Sequence, residues 1–378
     1  MKIKFYSTII VFLLSVYAVN SFAQGCVAVR NMNTASNMYD SSQNGSWQFS
    51  MNYRYFRSYK HFVGDEEQKE RTEQKTNVIN HDNSWLLGIN YTHNKYWSFS
   101  AVIPVLYIDR SSLYEHLGNS SGERYHTQSK GLGDIRVSGY FNALSGKRGR
   151  LMVGLGAKLP TGNSNYADYF HKKAADGTTT VLQLLSVDQS IQPGDGGFGI
   201  TTELDAVVSI THSAFLYAGG VYLFNPRNTN NTLRSSASTA PLNRWSYNSV
   251  TDQFFARAGI RYVVRNFQLG IGGRVEGIPS KDAIGKSDGF RRPGYIASVE
   301  PSVFYNTGNH TFGLNVPVAV VRNRTRSQND IEKGWDPKTD KLAHGDAAFA
   351  DYLISVTYAY RLNKKAVSPF GKSQSAIK

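Results

Sequence analysis

Apolar and polar residues alternate along the first clearly patterned segment of the chain. From Trp47 to Tyr55 every odd position is apolar or aromatic, and every even position is polar. Successive side chains of a β-strand point to opposite faces, so this segment predicts a strand with one apolar and one polar face. The same alternation returns from Tyr352 to Leu362. Ten further segments between these two fit the pattern, some with Gly or Ala on the polar face: 84–93, 96–108, 132–144, 151–159, 198–209, 214–224, 253–264, 267–276, 295–305 and 311–321.

The connections between these twelve predicted strands alternate in length. Five are short, at 93–95, 145–150, 210–213, 265–266 and 306–310, and six are long, at 58–83, 109–131, 160–197, 225–252, 277–294 and 322–350. Transmembrane barrels have strands of about 9–11 residues, an even strand number, short periplasmic turns and long external loops. The pattern therefore predicts an all-β fold, a transmembrane antiparallel β-barrel of about 12 strands. A soluble barrel or sandwich is the alternative.

The first residues favour export from the cytoplasm. Lys2 and Lys4 precede an apolar stretch from Thr8 to Val19, and Ser21 to Ala23 supplies small residues at the spacing that a signal peptidase needs. The stretch is shorter than the ~20 residues of a membrane-spanning helix. We expect cleavage after Ala23. Cys26 is then either a lipidation site or an inert thiol.

Composition agrees with a barrel and excludes some other classes. The chain has 378 residues, a formal charge of +14, 23 Tyr and one Cys. An intramolecular disulfide or a Cys-based zinc site needs at least two thiolates. The basic residues are scattered rather than gathered on a helix, which argues against nucleic acid as a partner. Aromatic residues near the strand ends, such as Trp47, Trp97 and Tyr360, suit a membrane–water boundary.

Three motifs in the middle of the chain resemble a known family. Gly131 to Ile135 (GLGDI) opens one strand, Lys158 to Gly162 (KLPTG) closes the next, and Pro193 to Gly197 (PGDGG) precedes a third. Their order is similar to that of the outer-membrane family named for the MetA (meta-cleavage) pathway of phenol degradation. The resemblance covers about residues 130–225 and implies a transporter-like barrel, but it does not specify the cargo. Physically, the Gly and Pro residues fit the ends of strands.

Charged residues fall on the polar faces of the strands. If the aromatic faces point outward, these side chains line the lumen: Arg54, Asp134, Arg136, Lys158, Glu203, Asp205, Arg257, Arg261, Arg274, Glu276, Glu300 and Arg361. Opposite charges that pair across a narrow barrel would make a self-neutralising core, because an unpaired buried charge is costly. The same set would alternatively form a charged constriction that selects solutes. Both interpretations stay open at this point.

The long loops hold the second group of candidates. The 160–197 loop is unusually apolar, and we expect it either to enter the mouth as a constriction or to pack on the rim, through Phe170, Leu182, Leu184, Leu185 and Ile191. A second group consists of loop carboxylates that could gather Ca²⁺, although Lys residues intervene and no EF-hand spacing is present: Asp330, Glu332, Asp336, Asp340 and Asp346. We predict no metal and no cofactor.

Motifs of familiar enzymes are missing from the sequence. There is no G-x-S-x-G elbow, no H-E-x-x-H helix and no phosphate-binding Gly loop. The turns hold His93, His212 and His310, and the predicted external loops hold His61, His81, His116, His126, His171 and His344. A hydrolase with an Asp/His pair in a loop or at the rim remains an alternative to transport.

These observations give one domain organisation and one preferred function. We predict a signal peptide at 1–23, a periplasmic segment at 24–45, an outer-membrane barrel at 46–362 and a periplasmic tail at 363–378. The preferred function is passive passage of a small solute, aromatic and hydrophobic solutes included, across the outer membrane of a Gram-negative-type bacterium. Its partners would be outer-membrane lipid and the solute. The alternatives are a rim hydrolase and a closed barrel that acts as a scaffold or adhesin.

Overall fold

Twelve antiparallel strands form a closed barrel. A computed structural model describes residues 44–146, 148–234, 242–337 and 340–362. The barrel strands are β1 (Ser46–Val63), β2 (Ile79–Thr92), β3 (Trp97–Ser112), β4 (Tyr125–Leu132 and Arg136–Gly146), β5 (Gly149–Lys158), β6 (Gly199–Ser209), β7 (Ala214–Phe224), β8 (Gln253–Val264), β9 (Phe267–Ile278), β10 (Gly294–Thr307), β11 (His310–Asn315 and Val318–Asn323) and β12 (Ala347–Leu362). Each strand pairs with the next in sequence, and β12 pairs with β1 from Trp47↔Leu362 to Phe62↔Ala347, which closes the sheet.

Short turns lie at one end of the barrel and long loops at the other, as the sequence predicted. The described parts of the loops contain three hairpins and four short helical segments: Ala167–Lys173 with Thr180–Ser186, Thr229–Leu233 with Tyr247–Ser249, Trp335–Asp336 with Lys341–Leu342, and Lys69–Glu73, Asn119–Ser121, Gln189–Ile191 and Gln328–Lys333. A two-residue strand, Glu66–Glu67, extends the end of β1. No helix within the described residues is long and apolar enough to cross a membrane.

The outward face of the barrel is an apolar belt. Along β1, Trp47, Phe49 and Met51 are each 41–45% exposed, while the intervening Gln48 and Asn52 are buried inside. Other strands alternate in the same way, with Leu155 of β5 64% exposed. A continuous apolar surface of this kind would be a liability in water and suits contact with lipid. It places the polar positions of the sequence inside the barrel.

Several strands extend further toward the long loops than predicted. β1 continues to Val63, β2 begins at Ile79, β3 ends at Ser112 and β12 begins at Ala347. The predicted loops 58–83, 109–131 and 322–350 were therefore too long. Beyond the apolar belt both faces of β2 and β3 carry polar residues, and both faces of β12 from Ala347 to Ala350 are apolar, so alternation disappears from the sequence although the backbone ladder continues.

Two strands predicted as continuous are interrupted. β4 breaks at 133–135, where the Gly133 N–H donates to the Pro104 carbonyl and the Asp134 side chain turns toward the 159–198 loop. β11 breaks at Pro317, which has no N–H for the ladder. Above this break β11 and β12 are joined by one register pair, Val318↔Tyr352. The predicted signal peptide and the tail at 363–378 lie outside the described residues, as does most of the segment 24–45.

Candidate functional site in the barrel interior and mouth

The twelve predicted lumen residues all face the interior. Ten are buried, and the other two, Arg274 and Arg361, are half-buried. Side chains that lined a wide water-filled bore would be accessible to water. The low exposure of this set therefore describes a closed interior. Burial alone does not assign any of these residues to solute selection.

One interior cluster is centred on Glu203 of β6. Its carboxylate accepts hydrogen bonds from Ser138 and Tyr140 at 2.8 Å and from Thr201 at 3.0 Å, and Arg136 lies 3.9 Å away. Three neutral donors and one cation satisfy this buried carboxylate, as burial of a charge requires. The cluster joins β4 to β6 across β5, where Gly154 and Gly156 leave room for the side chains. Close by, Asp205 pairs with Arg150 at 3.8 Å.

A second cluster connects β8, β9 and β10. Arg274 forms an ion pair with Glu276 at 2.9 Å and approaches Glu300 at 3.8 Å. Glu300 also lies 4.0 Å from Arg257 and accepts a hydrogen bond from the Asn315 side chain at 2.9 Å. These charges neutralise one another within the wall of the barrel.

Aromatic rings contact two interior arginines, Arg257 and Arg261. The Arg261 guanidinium lies 5.1 Å from the ring centre of Tyr217 and 4.9 Å from that of Phe304, and Arg257 lies 5.8 Å from Tyr217. Cation–π contacts of this kind gain strength away from water. Near the short-turn end, Arg361 donates to Gln48 at 2.8 Å.

The 159–198 loop returns into the barrel through residues 187–197, which we call the mouth segment. Asp134 fixes one end of it: its carboxylate accepts from the backbone N–H groups of Gly162 and Asp195, each at 3.0 Å. Lys158 pairs with the Asp195 carboxylate and lies 3.7 Å from that of Asp134. Gly194 packs directly on Gly162: a Cβ at Gly194 would lie 2.5 Å from the Gly162 carbonyl oxygen. The motifs around residues 131–135, 158–162 and 193–197 thus meet at one place.

Ion pairs hold the other end of the mouth segment. The carboxylate of Asp188 accepts from Arg292 at 2.7 and 2.8 Å and lies 3.6 Å from Arg110 of β3. Burial alone would raise the pKa of Asp188, but Arg110 and Arg292 hold it well below its usual range. The Gln189 side chain donates to the Ser249 carbonyl at 2.8 Å. The segment is therefore bound on one side to β3 and on the other to the loops beside β8 and β10.

A second loop completes the closure. Arg291 forms a buried pair with Asp282 and donates to the Ser249 hydroxyl at 2.6 Å. Asp282 in turn accepts from the backbone N–H of Asp252 at 2.9 Å. Sequence reasoning missed Arg110, Asp188, Asp282, Arg291 and Arg292, because isolated charges in long loops carry no periodic signal.

The five apolar residues predicted to act together in the 160–197 loop are divided between two places. Ile191 is fully buried against Ile108 of β3 beneath the mouth segment. Phe170 is buried in the hairpin and stacks on His116. Leu182 and Leu184 are 58% and 59% exposed, and Leu185 is half-buried. The loop enters the mouth through Ile191 and not through the hairpin.

Three of the five loop carboxylates considered for Ca²⁺ have partners of their own. Asp346 binds His61 and Arg71, Asp330 lies 3.2 Å from Arg324, and Glu332 contacts Arg244. Across the described ranges no three His, Cys, Asp or Glu side chains are grouped to hold a metal ion.

Three histidines predicted in external loops lie on strands instead: His61 on β1, His81 on β2 and His126 on β4. His61 uses both ring nitrogens, with Nδ1 2.7 Å from the Asp346 carboxylate and Nε2 accepting from the Val78 N–H at 2.8 Å. That leaves this His/Asp pair no nitrogen to activate a nucleophile. His126 lies 2.7 Å from Asp109 on the outer rim.

Together these features define the class: a transmembrane-type β-barrel whose interior is closed by paired charges and whose mouth is closed by a returning loop. No family model matches the chain, and no curated protein matches it in sequence. Among solved structures it is similar to the COG4313 outer membrane channel from Pseudomonas putida F1, with 11% identity, a TM-score of 0.58 and coverage of 89% of this chain and all of that one.

Two further solved barrels are similar over most of the chain. The translocator domain of the autotransporter NalP from Neisseria meningitidis has 12% identity and a TM-score of 0.44, covering 88% of this chain and 94% of that one. A deltaS2S3 mutant of the monoaromatic hydrocarbon channel TodX has 10% identity and a TM-score of 0.45, covering 90% and 97%. At such low identities the COG4313 channel supports the fold alone.

Proposed function

We propose that this chain is an outer-membrane channel for passive passage of a small solute, aromatic and hydrophobic solutes included, and that the structure is its closed state. The closed barrel with an apolar belt supports a place in the outer membrane, since closure satisfies every strand edge within lipid. The first of the similar structures is described as an outer membrane channel. The three central motifs support membership of the MetA-pathway barrel family.

The observation that carries the proposal is the nature of the closure. A loop closes the mouth, and the buried Arg110 and the half-buried Arg292, from different parts of the chain, hold that loop through Asp188. The barrel strands remain paired around it. Displacing residues 187–197 would therefore open the mouth without breaking the barrel. A barrel that acts only as a scaffold would not need a mouth segment that can separate from the barrel strands.

Apolar groups beneath the closure suit a hydrophobic cargo. Val187 and Ile191 of the mouth segment form a buried cluster with Ile108 on the inner face of β3. Further round the wall, Phe56 of β1 and Leu353 of β12 pack together within a pocket that also contains Phe349. An apolar solute would exchange one set of apolar contacts for another along this route, whereas a strongly hydrated ion would lose its water.

The test is to release the mouth segment by one substitution. Asp188→Asn keeps the side-chain shape but removes the charge that faces Arg110 and Arg292. Removing one partner of a buried pair costs about 3–5 kcal/mol, which is enough to shift a closed state toward an open one. Asp176→Asn is the matched control, because Asp176 lies in the same loop at the exposed turn of the hairpin.

The readouts are conductance in planar bilayers and entry of a small aromatic probe into vesicles, both with barrels verified as folded by heat-modifiable migration. We expect rare openings in the wild-type and Asp176→Asn barrels and frequent openings with faster probe entry for Asp188→Asn. If folded Asp188→Asn barrels pass neither ions nor the probe, the channel proposal is wrong. A scaffold or a rim hydrolase would then be the better interpretation.

A further inference from the structure

The outward face of the barrel differs between its two sides at the long-loop end. On β5 to β10 the described outward positions carry no charged residue. On β11, β12 and β1 to β4 a band of charge lies there, which we call the rim patch. It consists of four cations and two carboxylates: Arg57, Lys60, Lys130, Arg322, Asp109 and Asp351.

One half of the rim patch gathers cations around a single carboxylate. Asp351 of β12 lies 3.1 Å from the Lys60 ammonium and 2.6 Å from the Arg322 guanidinium, and it accepts from the Tyr59 hydroxyl at 2.8 Å. The Arg57 guanidinium lies 4.4 Å from the ring centre of Tyr59. One carboxylate thus serves two cations while a third lies beside them; with the Glu67 carboxylate also acting on Lys60, this half keeps one net positive charge.

The other half follows β2 to β4. Asp109 of β3 lies 2.7 Å from His126 and accepts from the Gln128 side chain at 3.1 Å. His81 lies opposite Asp109 in the β2–β3 register, and Lys130 is exposed two residues beyond Gln128. Here Asp109 has neutral or weakly basic partners, a second carboxylate, Asp168, accepts from the Gln128 backbone N–H at 2.6 Å, and the exposed Lys130 supplies the ammonium group.

The rim patch begins where the apolar belt ends. Tyr55, Tyr107 and Tyr352 are the last aromatic residues of the belt on β1, β3 and β12, and Arg57, Asp109 and Asp351 follow at once. Aromatic girdles mark the membrane–water interface of barrels, so these charges would lie at the depth of lipid head groups.

From this we infer that the rim patch binds phosphate groups of outer-leaflet lipid, holding a phosphorylated glycolipid on one side of the barrel. The inference rests on the outer-membrane location in the proposed function. Guanidinium and ammonium groups bind phosphate through charge-assisted hydrogen bonds, and a group of cations at this depth complements an anionic leaflet. The uncharged face of β5 to β10 would contact acyl chains and head groups without such selectivity.

The experiment compares lipids that differ in phosphate alone. The full-length chain, folded in detergent, is titrated with diphosphoryl lipid A and with its dephosphorylated form, and bound lipid is counted by native mass spectrometry. Inorganic phosphate is added as a competitor to separate a lipid site from a free-anion site. The test variant is Arg57→Gln with Lys130→Gln, one cation from each half. The control is Lys95→Gln with Arg148→Gln, two exposed cations at the short-turn end.

We expect wild type and control to bind diphosphoryl lipid A more tightly than the dephosphorylated form. The test variant should bind it about thirtyfold more weakly, from roughly fivefold per cation near a membrane surface. Equal binding of both lipids, equal losses in test and control variants, or full displacement by phosphate would each overturn the inference. Heat-modifiable migration and vesicle insertion are measured first. A chain that does not insert refutes the outer-membrane proposal itself, and this inference with it.

Discussion

Gly194→Ala tests whether the mouth segment depends on the close approach of two backbones. An added Cβ at Gly194 would lie 2.5 Å from the carbonyl oxygen and 2.6 Å from the carbonyl carbon of Gly162, and 2.7 Å from a carboxylate oxygen of Asp134. Real Cβ atoms do not approach backbone atoms so closely, so either the segment or the 159–162 turn must move. Gly194 is not among the glycines with positive φ, so the expected effect is steric and not conformational.

The size of the effect of Gly194→Ala depends on which atoms the added Cβ would displace. Overpacking a well-packed site costs about 1–3 kcal/mol, and two of the three nearest atoms belong to backbone, which places this change toward the upper end. Movement would also strain the hydrogen bonds from Gly162 and Asp195 to Asp134. We therefore expect Gly194→Ala to shift the closed–open equilibrium by about 2–3 kcal/mol, or roughly thirty- to a hundredfold in population.

The assay is hydrogen exchange of residues 187–197 in the folded barrel, with single-channel recording as a second readout. Gly273→Ala is the matched control, because nothing lies within 4 Å of a Cβ built at Gly273 on β9. Exchange should accelerate in the mouth segment of Gly194→Ala while β1 to β12 stay protected, and openings should become frequent. Wild-type exchange and conductance in Gly194→Ala would refute the packing argument.

Three further predictions concern the interior and the loops. Glu203→Gln leaves the nearby Arg136 without its carboxylate and should lower the free energy of unfolding by about 3–5 kcal/mol in urea titrations; replacing Arg136 by Met in the same chain should recover most of the loss. Burial lowers the pKa of His116 to about 4, and the neutral ring accepts a hydrogen bond at Nδ1 from the His171 backbone N–H at 3.1 Å. The stability that this contact contributes is therefore complete above the ordinary histidine pKa of about 6.5 and is lost as pH falls toward 4. Hydrogen exchange of residues 167–173 should accelerate over that range, and His116→Phe should abolish the pH dependence; an unchanged pH profile in His116→Phe would contradict this. In the Asp188→Asn background, Arg261→Ala should reduce anion preference, measured as a smaller reversal potential in a salt gradient.

The wall of the barrel was predictable because its constraint is periodic. Lipid on one face and a polar interior on the other impose alternation on every strand, which is why segments such as Trp47 to Tyr55 could be placed from sequence. The constraint ends at the edge of the belt, so the extensions of β1 to Val63 and of β12 from Ala347 were missed. The break at 133–135 depends on partners far away in sequence, such as Gly162 and Asp195, whereas the break at Pro317 has a local cause that the predicted strand 311–321 overlooked.

The mouth was predictable only in part, for the same physical reason. The apolar character of the 159–198 loop indicated some contact with the barrel, but Ile191 and Leu184 look alike in sequence and end in opposite environments. What separates them is the pairing of Asp188 with Arg110 and Arg292, residues 78 and 104 positions away along the chain. Such long-range ion pairs form only in the assembled fold, and the spacing of residues along the sequence does not predict them.

The interior charges divide into two groups by what they connect. Arg136 with Glu203, and Arg274 with Glu300, join strands of the same wall, so breaking them would loosen the barrel itself. Asp188 joins a loop to the wall, so breaking its pairs would release the loop and leave the strand ladder intact. Substitutions in the first group should therefore lower the stability of the barrel, and substitutions at Asp188 should change its permeability. A substitution at Glu203 that opened the pore without lowering stability would show that this division is wrong.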